Sequence, residues 1–181
     1  KCKEFVSYPI ALRQEKRILQ KAHQIVALSH YTKKEIEKQY RIPREKILVA
    51  AFPVNTDKFK PSGQKIAKDT FDFVCTGRVN DFGDDVRLTF IGEAPNENIL
   101  SLLKELKIEN NVRFIGQKTQ DELVSYLQEM DVYVLPSNQE GLCISALEAL
   151  ACGLPAISTK CGGPEEFIIH GQTGLLCEKN D

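Results

Sequence analysis

Two patterns of apolar positions alternate along this chain. Short unbroken apolar runs predict buried strands. Stretches in which apolar residues return every three or four positions predict amphipathic helices. Ile10 to Ala22, with Ile10, Ala11, Ile18, Leu19 and Ala22 spaced among charges, reads as a helix. Gln24 to Leu28 (QIVAL) reads as a short strand. Ser29 is placed to cap a helix from about Tyr31 to Tyr40, in which Thr32 and Glu35 match the capping-box spacing. Ile47 to Phe52 (ILVAAF) is a second buried strand, ended by Pro53.

A polar stretch from Asn55 to Asp69, containing Pro61-Ser62-Gly63, is the best linker or domain crossing. The pattern then becomes regular. Strands are expected at Phe71–Thr76, Val86–Ile91, Val112–Ile115, Val132–Leu135 and around Ala156–Ser158. Helices are expected at Asn98–Leu106, at Gln120–Glu129 behind a Thr119 cap, at Leu142–Cys152 closed by Gly153, and briefly at Glu165–Ile169. Short strands alternating with helices predict an α/β fold, a Rossmann-like parallel sheet with helices on both faces.

One junction breaks the rhythm. The runs FDFVCT and VRLTFI are separated only by Gly77 to Asp85. Parallel neighbours need a crossover of roughly a dozen residues. Either these strands form an antiparallel hairpin, or a segment containing a helix is absent between about Asp81 and Phe82. The regularity elsewhere favours the absent segment.

Composition narrows the classes. Hydrophobic residues make up 42% and charged residues 27%, which is globular rather than disordered. The net charge of −1 leaves no global field toward nucleic acid or anionic lipid, and Lys33–Lys34 is a short solvated run. No apolar run approaches the roughly 20 residues of a membrane span. The start, Lys1-Cys2-Lys3-Glu4-Phe5, has no signal-peptide core and no methionine, so residues upstream are expected. Cys2, Cys75, Cys143, Cys152, Cys161 and Cys177 form no C-x-x-C pair and sit mostly in apolar surroundings. That reads as a reducing, cytoplasmic protein without a zinc or redox motif. His23, His30 and His170 form no cluster with metal-ligand spacing.

The chemistry concentrates in Pro136-Ser-Asn-Gln-Glu140-Gly-Leu-Cys-Ile-Ser-Ala-Leu-Glu148-Ala-Leu-Ala-Cys-Gly153-Leu-Pro155. It starts where a strand ends, and in open α/β sheets the loops after the strands' carboxyl ends form the ligand crevice. Gly141 lets backbone approach a ligand closely. A helix starting near Leu142 would aim free N–H groups and a positive dipole end at phosphate. Glu140 stands at the rim and Glu148 further along the helix. Carboxylates accept hydrogen bonds from sugar hydroxyls but cannot hold phosphate, so a basic or dipolar partner is required. Two glutamates at this spacing would by themselves be ordinary helix surface. The Pro-Ser lead-in, the Glu-Gly rim and the Gly-x-Pro exit change that balance.

This segment resembles the signature of the family 4 retaining glycosyltransferases (glycosyltransferase group 1), which have the two-domain GT-B fold. Their hallmark is two glutamates with seven residues between them, a small-residue helix, Gly-x-Pro and a strand. Gly162-Gly163-Pro164-Glu165-Glu166, Gly171-Gln-Thr-Gly174-Leu-Leu and Gly77-Arg78 follow the same pattern. Val26-Ala-Leu-Ser29 and Pro53-Val-Asn55-Thr-Asp-Lys-Phe59 resemble the crossing from the acceptor domain. The resemblance implies that residues 1–60 are the end of an N-terminal acceptor-side domain, a remnant of a second Rossmann-like domain. Residues 61–181 would be a donor-binding domain, truncated at its C-terminus.

The resemblance also implies roles. Glu140 would contact donor-sugar hydroxyls and Glu148 the ribose. The backbone of Gly141, Leu142 and Cys143 would face the diphosphate. Arg78, following Gly77, would neutralise the leaving diphosphate. Ile115 and Gly116 would neighbour the base. The partners would be a nucleotide-diphosphate sugar and a glycan or lipid-linked acceptor. No metal or other cofactor is expected, and the place of work would be the cytoplasm or the inner face of the cell membrane. Two departures stand out. Leu142-Cys143 replaces the frequent Phe-Gly, and Val79-Asn-Asp-Phe-Gly83 lacks the lysine that the family sets after its arginine. A nucleotide-sugar epimerase and a non-catalytic nucleotide-sugar binder are the alternative readings.

Overall fold

The computed structural model describes residues 2–63, 70–75 and 86–180, with side chains from residue 12 onward. Gly77, Arg78, the junction near Asp81 and the end of the polar stretch lie outside the described residues. The chain divides into two compact units, Lys1–Phe52 and Pro53–Asp181.

In the first unit, helix α1 (Cys2–Lys21) starts earlier than the expected Ile10. Strand β1 (Ile25–Ala27) leads through the Ser29 cap into α2 (His30–Tyr40), and β2 (Ile47–Val49) pairs parallel with β1. Both strands are shorter than their apolar runs. Ser29 Oγ accepts the Thr32 N–H at 2.9 Å, so Thr32 is the third helical residue and not the start of a Thr32–Glu35 capping box. Ile25, Ala27, Ile42 and Ile47 form the buried cluster of this unit.

Among the described residues, the second unit contains six strands: β3 (Phe71–Cys75), β4 (Val86–Phe90), β5 (Val112–Phe114), β6 (Val132–Leu135), β7 (Ala156–Thr159) and β8 (Gly174–Cys177). Their order is β5-β4-β3-β6-β7-β8, and every pairing is parallel. β3 and β4 pair from Phe71↔Val86 to Cys75↔Phe90, which excludes the antiparallel hairpin. β8 is a strand that the apolar pattern does not announce.

Helices α3 (Glu97–Leu106), α4 (Gln120–Glu129) and α5 (Ile144–Ala151) connect the strands. The β4–α3–β5 connection moves outward along the sheet, and β5–α4–β6 moves back across it. Right-handed crossovers therefore put α3 and α4 on opposite faces. On the α4–α5 face, Val74, Tyr133 and Leu135 pack with Leu127, Ala146 and Ala149. The opposite face carries Cys75, Leu88 and Phe90, with the Phe90 and Phe114 rings stacked at 5.0 Å.

Local signals fix most helix ends. Thr119 and Glu122 form a complete capping box on α4. α5 closes with a Schellman motif. Gly153 N–H reaches the Leu150 carbonyl at 2.9 Å, and Leu154 N–H reaches Ala149 at 3.0 Å, with Gly153 at φ +85°. The short helix expected at Glu165–Ile169 is instead a single 3-10 turn at Gly163–Glu166, because Pro164 starts it at once and Phe167 leaves helical geometry. Among the described residues, no helix is long and apolar enough to cross a membrane.

Candidate functional site

Because the described strands of this sheet all pair parallel, their carboxyl ends share one edge. The order reverses between β3 and β6, since β4 and β5 lie to one side and β7 and β8 to the other. Such a switch point opens a crevice between the loops that leave those strands. The loop Pro136–Cys143 leaves β6 there and runs into α5.

Glu140 is half-buried, and its backbone is clamped. Its N–H donates to the Cys161 carbonyl at 2.8 Å, and its carbonyl accepts from Gly163 N–H at 3.0 Å, forming a bridge with Gly162. Ser137 Oγ donates to Glu140 Oε1 at 2.7 Å. Gly162 N–H in turn donates to Glu165 Oε1 at 2.9 Å. Gly141 is exposed and Leu142 buried. The backbone of the rim lies directly on Gly163, where a Cβ would stand 2.2 Å from the Gly141 carbonyl oxygen.

α5 begins at Ile144, two residues later than expected, because Cys143 takes left-handed backbone (φ 63°, ψ 79°) and turns the chain into the helix. Glycine adopts this conformation without steric cost, and glycine is the residue the resemblance sets at this position. Cys143→Gly is therefore expected to change stability by no more than ~0.5 kcal/mol, as relief of left-handed strain offsets glycine's extra chain entropy. Cys143→Val should cost more than ~1 kcal/mol, since a β-branched residue is an outlier there. Urea unfolding of both variants checks the pair.

The start of α5 is tied to the sheet by Tyr133, a fully buried residue of β6 whose hydroxyl lies 2.8 Å from Ser145 Oγ. Burial pushes the Cys143 thiol above its ordinary pKa, against hydrogen bonding to Ser145. Cys75 is pushed up to about 12 and Cys152 to about 11, both mainly by burial. These thiols stay protonated and unreactive near neutral pH.

Glu148 lies in the second turn of α5, only 8% exposed. Burial raises its pKa, and the charge of Lys58 pulls it partly back. Lys58 belongs to the Pro53–Phe59 motif, and its effect on Glu148 leaves no signal in the spacing along the chain. Its Nζ pairs with Asp121 at 2.7 Å. Gln128 Nε2 also donates to the Lys60 carbonyl at 2.8 Å, so α4 holds this segment at both ends. Ser137 and Gly163 likewise join the site through contacts that spacing along the chain does not signal.

Ile115 and Gly116 leave β5, three strands from β6, or about 14 Å across the sheet at the usual strand spacing. The Gly116 carbonyl accepts from Gly92 N–H at 3.1 Å, so the loops after β4 and β5 are joined. The structure thus unites Glu140, Gly141, Leu142, Cys143 and Glu148 on one loop and helix, and sets Ile115 and Gly116 apart on the same edge. Among the described residues, no group of His, Cys, Asp and Glu has the arrangement of a metal site.

Residues 78–181 match the family model described as glycosyl transferases group 1. The chain belongs to this family. Among curated relatives, it is 43% identical over 98 residues to N-acetyl-alpha-D-glucosaminyl L-malate synthase of Bacillus anthracis, covering 54% of this chain and 25% of that protein. It is 35% identical over 95 residues to glycogen synthase of Mycobacterium tuberculosis, covering 52% and 23%. The match thus spans about a quarter of the length of these curated relatives. Among solved structures it resembles sucrose-phosphate synthase of Thermosynechococcus elongatus, with TM-score 0.80, 23% identity, and 92% and 48% of the two chains covered. Anabaena HepE, solved with UDP and glucose, matches at TM-score 0.81 and 19% identity over 93% and 53%. At these identities the likeness establishes the fold, which is that of the GT-B glycosyltransferases.

Proposed function

We propose that this chain is the donor-binding part of a retaining glycosyltransferase that moves a sugar from a nucleoside-diphosphate sugar to a hydroxyl acceptor. The observation that carries it is the clamped Glu140–Cys143 rim at the sheet's switch point, leading straight into the helix that bears Glu148. Anabaena HepE, a structural neighbour, has also been solved with UDP-glucose.

In this reading the backbone N–H groups of Gly141, Leu142 and Cys143 and the α5 dipole hold the diphosphate. Glu140 accepts from donor-sugar hydroxyls and Glu148 from the ribose. The base rests near Ile115 and Gly116. The anomeric carbon–oxygen bond to the diphosphate breaks, and Arg78 behind Gly77 meets the developing charge. The acceptor oxygen bonds to the anomeric carbon on the same face, and its proton passes to the departing diphosphate. No protein nucleophile and no metal enter this scheme. The acceptor, a glycan or a lipid-linked sugar, and work in the cytoplasm at the inner membrane face belong to the same proposal.

Calorimetry with UDP, GDP and ADP on this chain tests the reading. One nucleotide should bind well above the others, and EDTA should leave its affinity unchanged. Failure of all three would sink it. A second reading, a nucleotide-sugar binder without transfer, is favoured by the absence of lysine in Val79–Gly83. The protein carrying this chain separates the two: a glycoside product with retained configuration supports transfer, and binding without product supports the binder.

A further inference from the structure

We propose that Ser137 is a positioning residue for the donor sugar, setting the direction of the Glu140 carboxylate; this rests on the donor-site reading above. The geometry separates what holds the Glu140 backbone from what aims its side chain. The backbone is held by the Cys161 carbonyl at 2.8 Å and the Gly163 N–H at 3.0 Å, neither of which involves Ser137. The carboxylate takes its hydrogen bond from Ser137 Oγ, at 2.7 Å to Oε1.

Ser137 is itself anchored. Its carbonyl accepts from the Thr159 hydroxyl at the end of β7, the strand beside β6. The same hydroxyl lies 3.4 Å from the Leu135 carbonyl at the end of β6. A frame of two paired strands thus fixes the serine, and the serine fixes the carboxylate.

A glutamate side chain has several rotatable bonds, and a free one loses that freedom when it binds a ligand. With Oε1 committed to Ser137, the rotamer is chosen beforehand, and the remaining acceptor positions stay open to sugar hydroxyls. Ser137 touches no reacting atom in this scheme. It acts through Glu140 alone, so its effect should follow the sugar and not the nucleotide.

The test compares a sugar nucleotide with its own nucleoside diphosphate by calorimetry, using whichever of UDP-glucose, UDP-N-acetylglucosamine, GDP-mannose and ADP-glucose binds the chain. Ser137→Ala should weaken the sugar nucleotide about tenfold, the scale of one hydrogen bond to a charged group. Affinity for the nucleoside diphosphate should stay within about twofold of the parent, and Ser137→Thr, which keeps the hydroxyl, should restore most of the loss. In a Glu140→Ala background, Ser137→Ala should add no further loss, as expected for a residue acting through that carboxylate. Equal weakening of both ligands would make Ser137 a structural loop residue and overturn the proposal. Unchanged sugar-nucleotide affinity, or full additivity with Glu140→Ala, would also overturn it while leaving the donor site standing. If the parent chain binds no nucleotide, the donor-site reading falls and this inference falls with it.

Discussion

Glu148→Gln is expected to weaken nucleoside-diphosphate binding by about tenfold to a hundredfold while making the fold more stable at neutral pH. Both effects come from one buried carboxylate. Glu148 is 8% exposed on α5, beside the fully buried Ala146 and Ala149. Burial disfavours its charged form and raises its pKa, and Lys58 only partly offsets this. The native state therefore holds the proton more tightly than the unfolded state. Below the ordinary glutamate pKa both states are protonated and the penalty is absent. As pH rises from the ordinary to the raised pKa the unfolded state ionises first, and stability falls. Above the raised pKa the penalty is complete. Glutamine removes it, so the stability gain should be nearly zero in acid and grow to a plateau toward neutral pH. Denaturant titrations across that range measure it. Binding runs the other way. In the proposed donor site the ionised carboxylate accepts ribose hydroxyls, so parent affinity should fall as pH drops through the raised pKa, and the variant should lose that dependence. Unaltered affinity in the variant would remove Glu148 from the ribose.

Gly163→Ala is expected to destabilise the second unit by about 1–3 kcal/mol and to abolish measurable nucleotide binding. The added Cβ would stand 2.2 Å from the Gly141 oxygen, 2.6 Å from its carbonyl carbon and 2.7 Å from Leu142 Cα. All three are backbone atoms, so no rotamer change relieves the contact. The rim must move away, taking with it the N–H groups assigned to the diphosphate. Gly63→Ala is the control, because nothing lies within 4 Å of a Cβ there. Thermal melts and calorimetry on both variants read the two effects. Nucleotide binding by Gly163→Ala at the parent's affinity would show that the rim does not hold the diphosphate.

Much of the fold was legible residue by residue. β6 at Val132–Leu135 and α4 at Gln120–Glu129 have the expected bounds, the latter because Thr119 and Glu122 signal its start within one turn. Gly153 similarly announced the end of α5. The misses share a cause. α5 starts at Ile144 because Cys143 is held left-handed while Leu142 is buried, and nothing in the residue types demands this. β8 becomes a strand because Gly174 fits flat against Ala156, where a Cβ would stand 2.0 Å from the Ala156 oxygen. Its short run of apolar residues carried no separate signal.

The sequence by itself determined most of the element types, the alternation that makes a parallel α/β sheet, and the Glu140 and Glu148 pair on one loop and helix. Those properties depend on side chains within a turn or two of each other, and local propensity and spacing govern them. The tertiary structure alone decided that β3 and β4 run parallel, that Lys58 reaches the field of Glu148, that Gly163 must lack a side chain, and that Ser137 aims Glu140 from a frame tied to Thr159. Each of these depends on which strands pair and on which distant segment comes to rest against the β6 loop. Close packing makes such contacts specific to tenths of an ångström, and spacing along the chain carries no record of them.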